Sequence, residues 1–266
     1  MKSRLIVLMA HYNSPEGLEA SLRSINEPFS VDVLVVDDGS DYKPDEIKLR
    51  NLYTNGDLYF DYLETNQGVG IAANRALQIA QEKNYELIAR LDCGDINHKN
   101  KYHHQLSYLD ANKEVKLLGT WARVLDDKGN FKHMLKHPQS YEEIKKKMYF
   151  NSMFLNPSVV FYTSILKEVG DYPYKYRRAA QDYAFFFKVI KRYKAENLPE
   201  VLIDYIIEPH SISTTKRRLQ VKNRIRIVLD NFYFGWHPVL GLLRGMLLYL
   251  FPRSATTFIK KYTKRH

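Results

Sequence analysis

The sequence predicts an α/β protein: a mixed, mostly parallel sheet flanked by helices, followed by a basic helical tail. Three observations predict it. Apolar, often β-branched runs alternate with stretches of helical spacing through the first part of the chain, the pattern of strands joined by crossover helices. The runs are apolar along their whole length, as strands covered on both faces are. The polar residues Asn13, Asp37, Asp38, Asp92 and Asp95 all follow the last apolar residue of a run, and open α/β sheets bind ligands at the carboxyl ends of their strands.

Residues 5–10 form the first apolar run. Residues 14–25 have helical spacing, with Leu18, Leu22 and Ile25 on one face. Residues 31–36 are a second run, ending at Asp37-Asp38-Gly39-Ser40, and residues 59–63 read as a short strand. Residues 69–83 are helical in pattern through Ile71, Ala72, Ala76, Leu77 and Ile79, and residues 87–91 are another strand. Beyond residue 112 the pattern becomes mixed. Residues 115–121 and 131–134 flank the turn Asp126-Asp127-Lys128-Gly129-Asn130. Residues 159–162 and 201–207 read as strands and 182–194 as a helix. From Lys216 onward basic and apolar residues alternate in helical fashion, and the apolar stretch 236–251 is broken by Pro238. That stretch is shorter than the ~20 residues a membrane span needs and suits an interfacial segment.

The chain of 266 residues is 45% hydrophobic and 26% charged, enough for a full core and unlike a disordered chain. Cys93 is the sole cysteine, which excludes an intrachain disulfide and a cysteine-built zinc site. The opening apolar run is too short for a secretory signal core and leads into His11-Tyr12-Asn13, so it is read as a strand and not an export signal, while the single cysteine suits a reducing compartment and a cytoplasmic location is expected. Charge is unevenly placed. Residues 214–266 carry twelve Lys or Arg against one acid, Asp230, whereas the remainder carries 28 basic and 29 acidic residues. The expected division is a domain over 1–215 and a basic amphipathic tail over 216–266, with an anionic membrane surface, a second copy of the chain or nucleic acid as partner of the tail. No nucleic-acid-binding motif accompanies it, so nucleic acid is set aside.

Three segments carry candidate chemistry, each with a plain structural alternative. Asp37 and Asp38 stand on a turn after a buried strand, where a carboxylate accepts from a ribose or base; an Asp-Gly turn is the alternative. Asn66-Gln67-Gly68-Val69-Gly70-Ile71-Ala72-Ala73-Asn74 is a glycine-bearing loop into a helix, suited to phosphate or simply to starting the helix. Arg90-Leu91-Asp92-Cys93-Gly94-Asp95 places two carboxylates three apart, a hard-oxygen pair for a divalent cation or an aspartate-rich turn. His98, His103 and His104 are read as solvated, the adjacent pair diverging on a helix. Arg178, Lys216 and Arg217 are weighed as diphosphate contacts against plain surface charge.

In this order and spacing the segments resemble the family 2 glycosyltransferases, which have the GT-A (Rossmann-like) fold. The resemblance runs over roughly residues 3–215. It includes Ala10-His11-Tyr12-Asn13, Val36 to Ser40, Asn66 to Asn74, Arg90 to Asp95, Asn156-Pro157-Ser158-Val159, Gly170-Asp171-Tyr172, Gln181-Asp182-Tyr183 and Tyr205 to Ser213. It implies a nucleotide-sugar site at Ala10, Tyr12, Asp38, Asn66, Gly68, Asn74, Arg90 and Asp92, with Tyr12 and Asp38 at the base and Asp92 at the ribose. It implies a divalent cation, Mn²⁺ or Mg²⁺, at Asp92 and Asp95, and Asp182 as the general base of an inverting transfer. A helix-dipole role is the structural alternative for Asp182. Three positions depart from the family pattern: Gly94 for the middle aspartate of the metal motif, Gln181 for a glutamate and Asn156 for a histidine.

The implied activity is transfer of a sugar from a nucleotide-diphosphate sugar to a lipid-linked or cell-surface glycan, at the inner face of the cell membrane. A sugar-nucleotide-binding protein without turnover and a nucleotidyltransferase are the alternatives.

Overall fold

The computed structural model describes residues 3–207 and 217–250. Nine strands are β1 (Leu5–His11), β2 (Asp32–Asp37), β3 (Leu58–Tyr62), β4 (Leu87–Arg90), β5 (Ile96–Asn97), β6 (Val115–Asp126), β7 (Phe131–Leu135), β8 (Val160–Tyr162) and β9 (Lys194–Ile207). The helices are α1 (Pro15–Ser24), α2 (Glu46–Leu52), α3 (Val69–Glu82), α4 (Lys101–Ala111), α5 (Tyr141–Lys147), α6 (Leu166–Val169), α7 (Gln181–Ile190), α8 (Arg217–Asp230) and α9 (Trp236–Leu250).

All nine strands form one sheet, in the order β3-β2-β1-β4-β8-β6-β9-β5, with β7 pairing outside this path on β6. The neighbours β3, β2, β1 and β4 run parallel, as the alternating pattern requires. The chain reverses at β8, which is antiparallel to both β4 and β6. The long β6 then pairs parallel with β9. The carboxyl ends of β1, β2 and β4 therefore open on the side where the second half of the chain meets the first.

Composition explains the packing. β1 and β2 bury their apolar side chains on both faces, and α3 lies close against them because Ala72, Ala73, Ala76 and Ala80 are small and buried. In the second half the core is aromatic: Phe161, Phe185 and Phe186 are fully buried, and Tyr172 packs on Phe185 with ring centroids 4.8 Å apart. Each such side chain contributes about 1.5–3 kcal/mol through burial alone.

Three expectations are corrected. The helix expected over 182–194 ends at Ile190, and Lys194 opens β9 instead. β9 was legible only from residue 201 because its first part contains Asn197 and Pro199. Thr120 pairs Leu198 and Trp121 pairs Val201, so Pro199 and Glu200 are looped out as a bulge that asks no ladder bond of proline. Pro238 does not break the tail: it sits in the first turn of α9, where its missing N–H has no intrahelical partner to lose.

The tail is not one kind of segment. α8 packs on the domain through Val221, Ile227 and Val228, and Asn223 Nδ2 donates to the Ala179 carbonyl at 2.9 Å. Lys175 and the Tyr176 hydroxyl both reach Asp230, at 2.9 and 2.6 Å. A boundary at 215/216 thus divides the sequence but not the packed body. α9 touches the body at Gly241, where any Cβ would lie 2.3 Å from the Tyr149 carbonyl oxygen, and through Arg244 on the Phe150 carbonyl. Its other face is exposed. No described helix is long and apolar enough to cross a membrane. The expected strand residues 208–213, Lys216 and the end of the tail at 251–266 lie outside the described residues.

Candidate active site

The site assembles from strand ends. At the end of β1, His11 is fully buried and its Nδ1 lies 2.7 Å from Asp37 Oδ2 at the end of β2. The Ser14 N–H donates to Nε2 of the same ring at 3.2 Å, which leaves the ring proton on Nδ1, facing Asp37. Asp37 Oδ1 also accepts the Ser40 N–H. Asp37 is therefore a clamp that fixes the two strand ends.

Asp38 points the other way. Its two oxygens accept the backbone N–H groups of Gln67 and Gly68, each at 2.8 Å. Burial pushes this carboxyl above the ordinary aspartate value, opposed by those two hydrogen bonds. Gly39, at φ +69°, passes so close to the Thr65–Asn66 backbone that a Cβ would fall 2.3 Å from the Thr65 carbonyl carbon. Gly68 itself adopts φ +96°. The glycines allow the turn after β2 and the loop before α3 to touch, and Asp38 locks them together. Tyr12, 48% exposed, and exposed Asn66 flank this contact. Partly buried Ala10 offers its carbonyl to the Cys93 thiol at 3.3 Å.

A second chain of contacts joins four of the sequence segments. Asn74 on α3 brackets the backbone of Tyr172, donating to its carbonyl at 2.9 Å and accepting its N–H at 3.0 Å. The Tyr172 hydroxyl donates to Asn156 Oδ1 at 3.3 Å, and Asn156 Nδ2 donates to Asp92 at 3.4 Å. Arg90, 1% exposed, lies 6.0 Å from the Tyr172 ring centroid and reaches Asp92 Oδ1 with Nη2 at 3.5 Å. Asn74 and Arg90 act here as supports, and Asp92, with a side chain 40% exposed, is the group they present.

Asp92 and Asp95 are not equivalent. Asp95 is 3% exposed, and its Oδ1 accepts the Ile206 N–H of β9 at 2.8 Å. It ties the segment after β4 to β9 and does not line the cleft described below. Gly94, standing between them, has φ +99°, a conformation an aspartate there would adopt only under strain. Among the described residues no three His, Cys, Asp or Glu side chains gather as a metal cluster. Asp92 fits a cation held by a single carboxylate and completed by phosphate and water oxygens, a common arrangement for Mg²⁺ at a nucleotide. The histidines are otherwise engaged: His98 with Asp204 at 2.8 Å and His104 with Glu200 at 2.6 Å.

Asp92 opens into a cleft of about 470 Å³, and Asp182 lines its other part. Asp182 is in the first turn of α7, two residues after Ala180, whose left-handed φ of +65° turns the chain into the helix. Burial pushes the Asp182 carboxyl up from the usual value. The Tyr183 backbone N–H and the Arg224 guanidinium oppose that shift, and the charge of Asp92 adds to it. A partly buried carboxylate of raised pKa, in an open cleft with the Arg224 guanidinium, has the chemistry to take a proton from a bound hydroxyl.

Sequence reasoning missed several lining residues. Arg224 and Gln220 enter the cleft from α8, the helix assigned to the tail. They are four apart and so share a face, and Arg224 adjoins the buried Asn223. His137, Asn151 and Ser152 also line the cleft, in a region with no motif. Burial lowers the His137 imidazole to about 4, leaving it a neutral hydrogen-bonding group.

Known proteins resemble this chain in sequence and in fold. The model of the glycosyl transferase family 2 matches residues 6–170. An uncharacterised glycosyltransferase of Methanocaldococcus jannaschii is 30% identical over 98% of this chain and 92% of its own length. The UDP-Gal:alpha-D-GlcNAc-diphosphoundecaprenol beta-1,3-galactosyltransferase of Escherichia coli is 28% identical over 86% of this chain and 82% of its own. In shape, the structure of S. aureus TarS 1-349 in complex with UDP-GlcNAc covers 96% of this chain and 74% of its own at TM-score 0.71 and 21% identity. The mannosyltransferase PcManGT of Pyrobaculum calidifontis, in complex with GDP-Man and Mn²⁺, covers 94% and 71% at TM-score 0.66 and 17% identity.

Proposed function

The chain belongs to the glycosyl transferase family 2 and is a glycosyltransferase, and from that premise we propose that it moves a sugar, with inversion, from a nucleoside diphosphate sugar to a lipid-linked or cell-surface glycan. The observation that carries this reading is the shared cleft of Asp92 and Asp182. The donor lies along the strand ends, its base at Tyr12 and the Asp38-locked loop, and its ribose and diphosphate at Asp92. The acceptor enters from the side of His137, Asn151 and Ser152, a neutral polar lining that suits sugar hydroxyls.

Asp182 accepts the proton of the attacking hydroxyl, whose oxygen bonds to the anomeric carbon as the bond to the diphosphate breaks. Arg224 faces the same cleft and is placed to balance the negative charge that gathers there. A divalent cation, Mn²⁺ or Mg²⁺, would be held by Asp92 and the donor's own phosphates and would supply charge neutralisation of the leaving diphosphate. Uridine is favoured as the base: the E. coli relative is described as acting on UDP-Gal and the TarS complex contains UDP-GlcNAc.

A diphospholipid-borne acceptor is named for the E. coli relative, and the exposed apolar face of α9 with its basic surroundings suits a chain working at the inner face of an anionic membrane. The test is transfer of labelled sugar from UDP-, GDP- and dTDP-sugars to a polyprenyl-diphosphate-linked sugar, with and without Mn²⁺. Transfer from one nucleotide class supports the reading. Donor binding without hydrolysis or transfer to any acceptor would favour the alternative of a binding protein.

A further inference from the structure

Beside the root of α9 lies a second cavity, of about 440 Å³, apart from the catalytic cleft. Its walls are aromatic, with Tyr149, Phe187 and Tyr233 among them, and its rim carries Lys145, Lys146 and Lys191 against one acid, Glu142. Tyr149 links it to the tail three times, first through its hydroxyl, which donates to the Asn231 carbonyl at 3.0 Å. Its ring meets Tyr233 edge-on at 5.5 Å between centroids, and its carbonyl is the surface on which Gly241 of α9 rests. The cavity therefore adjoins the turn between α8 and α9.

That turn and α9 expose a continuous apolar surface: Phe234 is 99% exposed, Trp236 80%, Leu243 52%, Leu247 56% and Leu250 73%. At about 23 Å a helix of this length cannot span a bilayer core, but it can lie in the interface. The sequence beyond it, 251–266, adds five Lys or Arg and no acid. Cationic charge around an apolar face matches an anionic bilayer and opposes pairing with a second, equally cationic copy.

We infer that the cavity is a phospholipid headgroup site: its three lysines take the phosphate of an anionic membrane lipid while Tyr149, Phe187 and Tyr233 pack on the glycerol and upper acyl chain. This rests on the reading of α9 as a membrane-surface helix and adds to it a defined lipid contact, which fixes the angle at which the catalytic cleft faces the bilayer. Aromatic side chains with a polar tip are suited to that depth, and lysine is a compact partner for phosphate.

The test is co-sedimentation of the full chain with phosphatidylcholine vesicles, with and without phosphatidylglycerol. Three variants accompany it: Lys145→Gln/Lys146→Gln/Lys191→Gln at the cavity, Lys99→Gln/Lys128→Gln/Lys167→Gln as exposed lysines elsewhere, and Leu243→Glu/Leu247→Glu on α9. All substitute exposed side chains, so folding is preserved. The expected result is at least a tenfold loss on anionic vesicles for the cavity variant, under threefold for the charge-matched control, and loss on all vesicles for the α9 variant. A cavity variant that binds like its control overturns the headgroup site and leaves the membrane reading standing. Wild-type protein that binds no vesicle, or forms a dimer that the α9 variant abolishes, overturns both.

Discussion

Asp38 Oδ2 accepts the backbone N–H of Gly68 at 2.8 Å and so ties the end of β2 to the start of α3 across thirty residues. The bond gives Asp38 an architectural task, and under the proposed function a binding task follows from it. The loop it holds is the one whose backbone would face the donor, and its shape depends on two N–H groups that Asp38 alone is seen to accept.

Asp38→Ala leaves those two N–H groups without their acceptor. The expected cost is about 1–3 kcal/mol of stability, measured by urea unfolding, together with at least a tenfold weaker donor affinity by calorimetry. Unchanged affinity in a folded variant would separate the loop from the donor site.

Arg224→Gln removes a positive charge that opposes the upward shift of Asp182. The carboxyl then ionises at still higher pH, so the acidic limb of the kcat profile moves to higher pH and the rate at low pH falls most. The pH profiles of the two proteins measure this, and identical limbs would mean that Arg224 does not act on the base.

Asp182 also leaves a signature in stability. Its carboxyl is raised above the unfolded value, so between the two values the folded state holds more protons than the unfolded state. Its contribution is fully present below the unfolded value, about pH 4, and is lost as pH rises through the folded value. The stability of wild type relative to Asp182→Asn therefore declines from about pH 4 toward neutrality. Parallel unfolding curves at several pH values check the sign.

Lys101 is fully buried, donates to Asn97 Oδ1 and the Pro157 carbonyl at 2.9 Å each, and is pulled down to about 7 by burial. Between about 7 and the unfolded value of 10.5 the unfolded chain binds the extra proton. Wild-type stability relative to Lys101→Met should therefore rise with pH across that window, and a flat difference would place the lysine's ionisation elsewhere.

How much of this was legible in the sequence depends on what each residue touches. The parallel half was readable because its strands are buried on both faces and its helices keep one apolar stripe. α2 was not: it is seven residues long, its Ile47 is 78% exposed, and a single cap, Asp45 accepting the Lys48 N–H, marks its start. The motif segments meet one another in the fold, but what each residue touches there was not legible in the sequence. Asn74, Arg90 and Asp95 keep their positions in the pattern yet are spent on Tyr172, on Asp92 and on the Ile206 N–H. Arg224 was hidden because its partner Asp182 is 42 positions away in the chain, and only packing of α8 against α7 brings the two to one cleft.

If Asp182 is the base and the strand ends hold the donor, Asp182→Asn abolishes transfer while leaving the donor bound. The measurement is donor affinity by calorimetry beside sugar transfer on the same protein. Donor affinity is expected to stay within about twofold of wild type and transfer to fall by about 10²–10⁴. Transfer within a few-fold of wild type, with the donor still bound, would contradict Asp182 as the base.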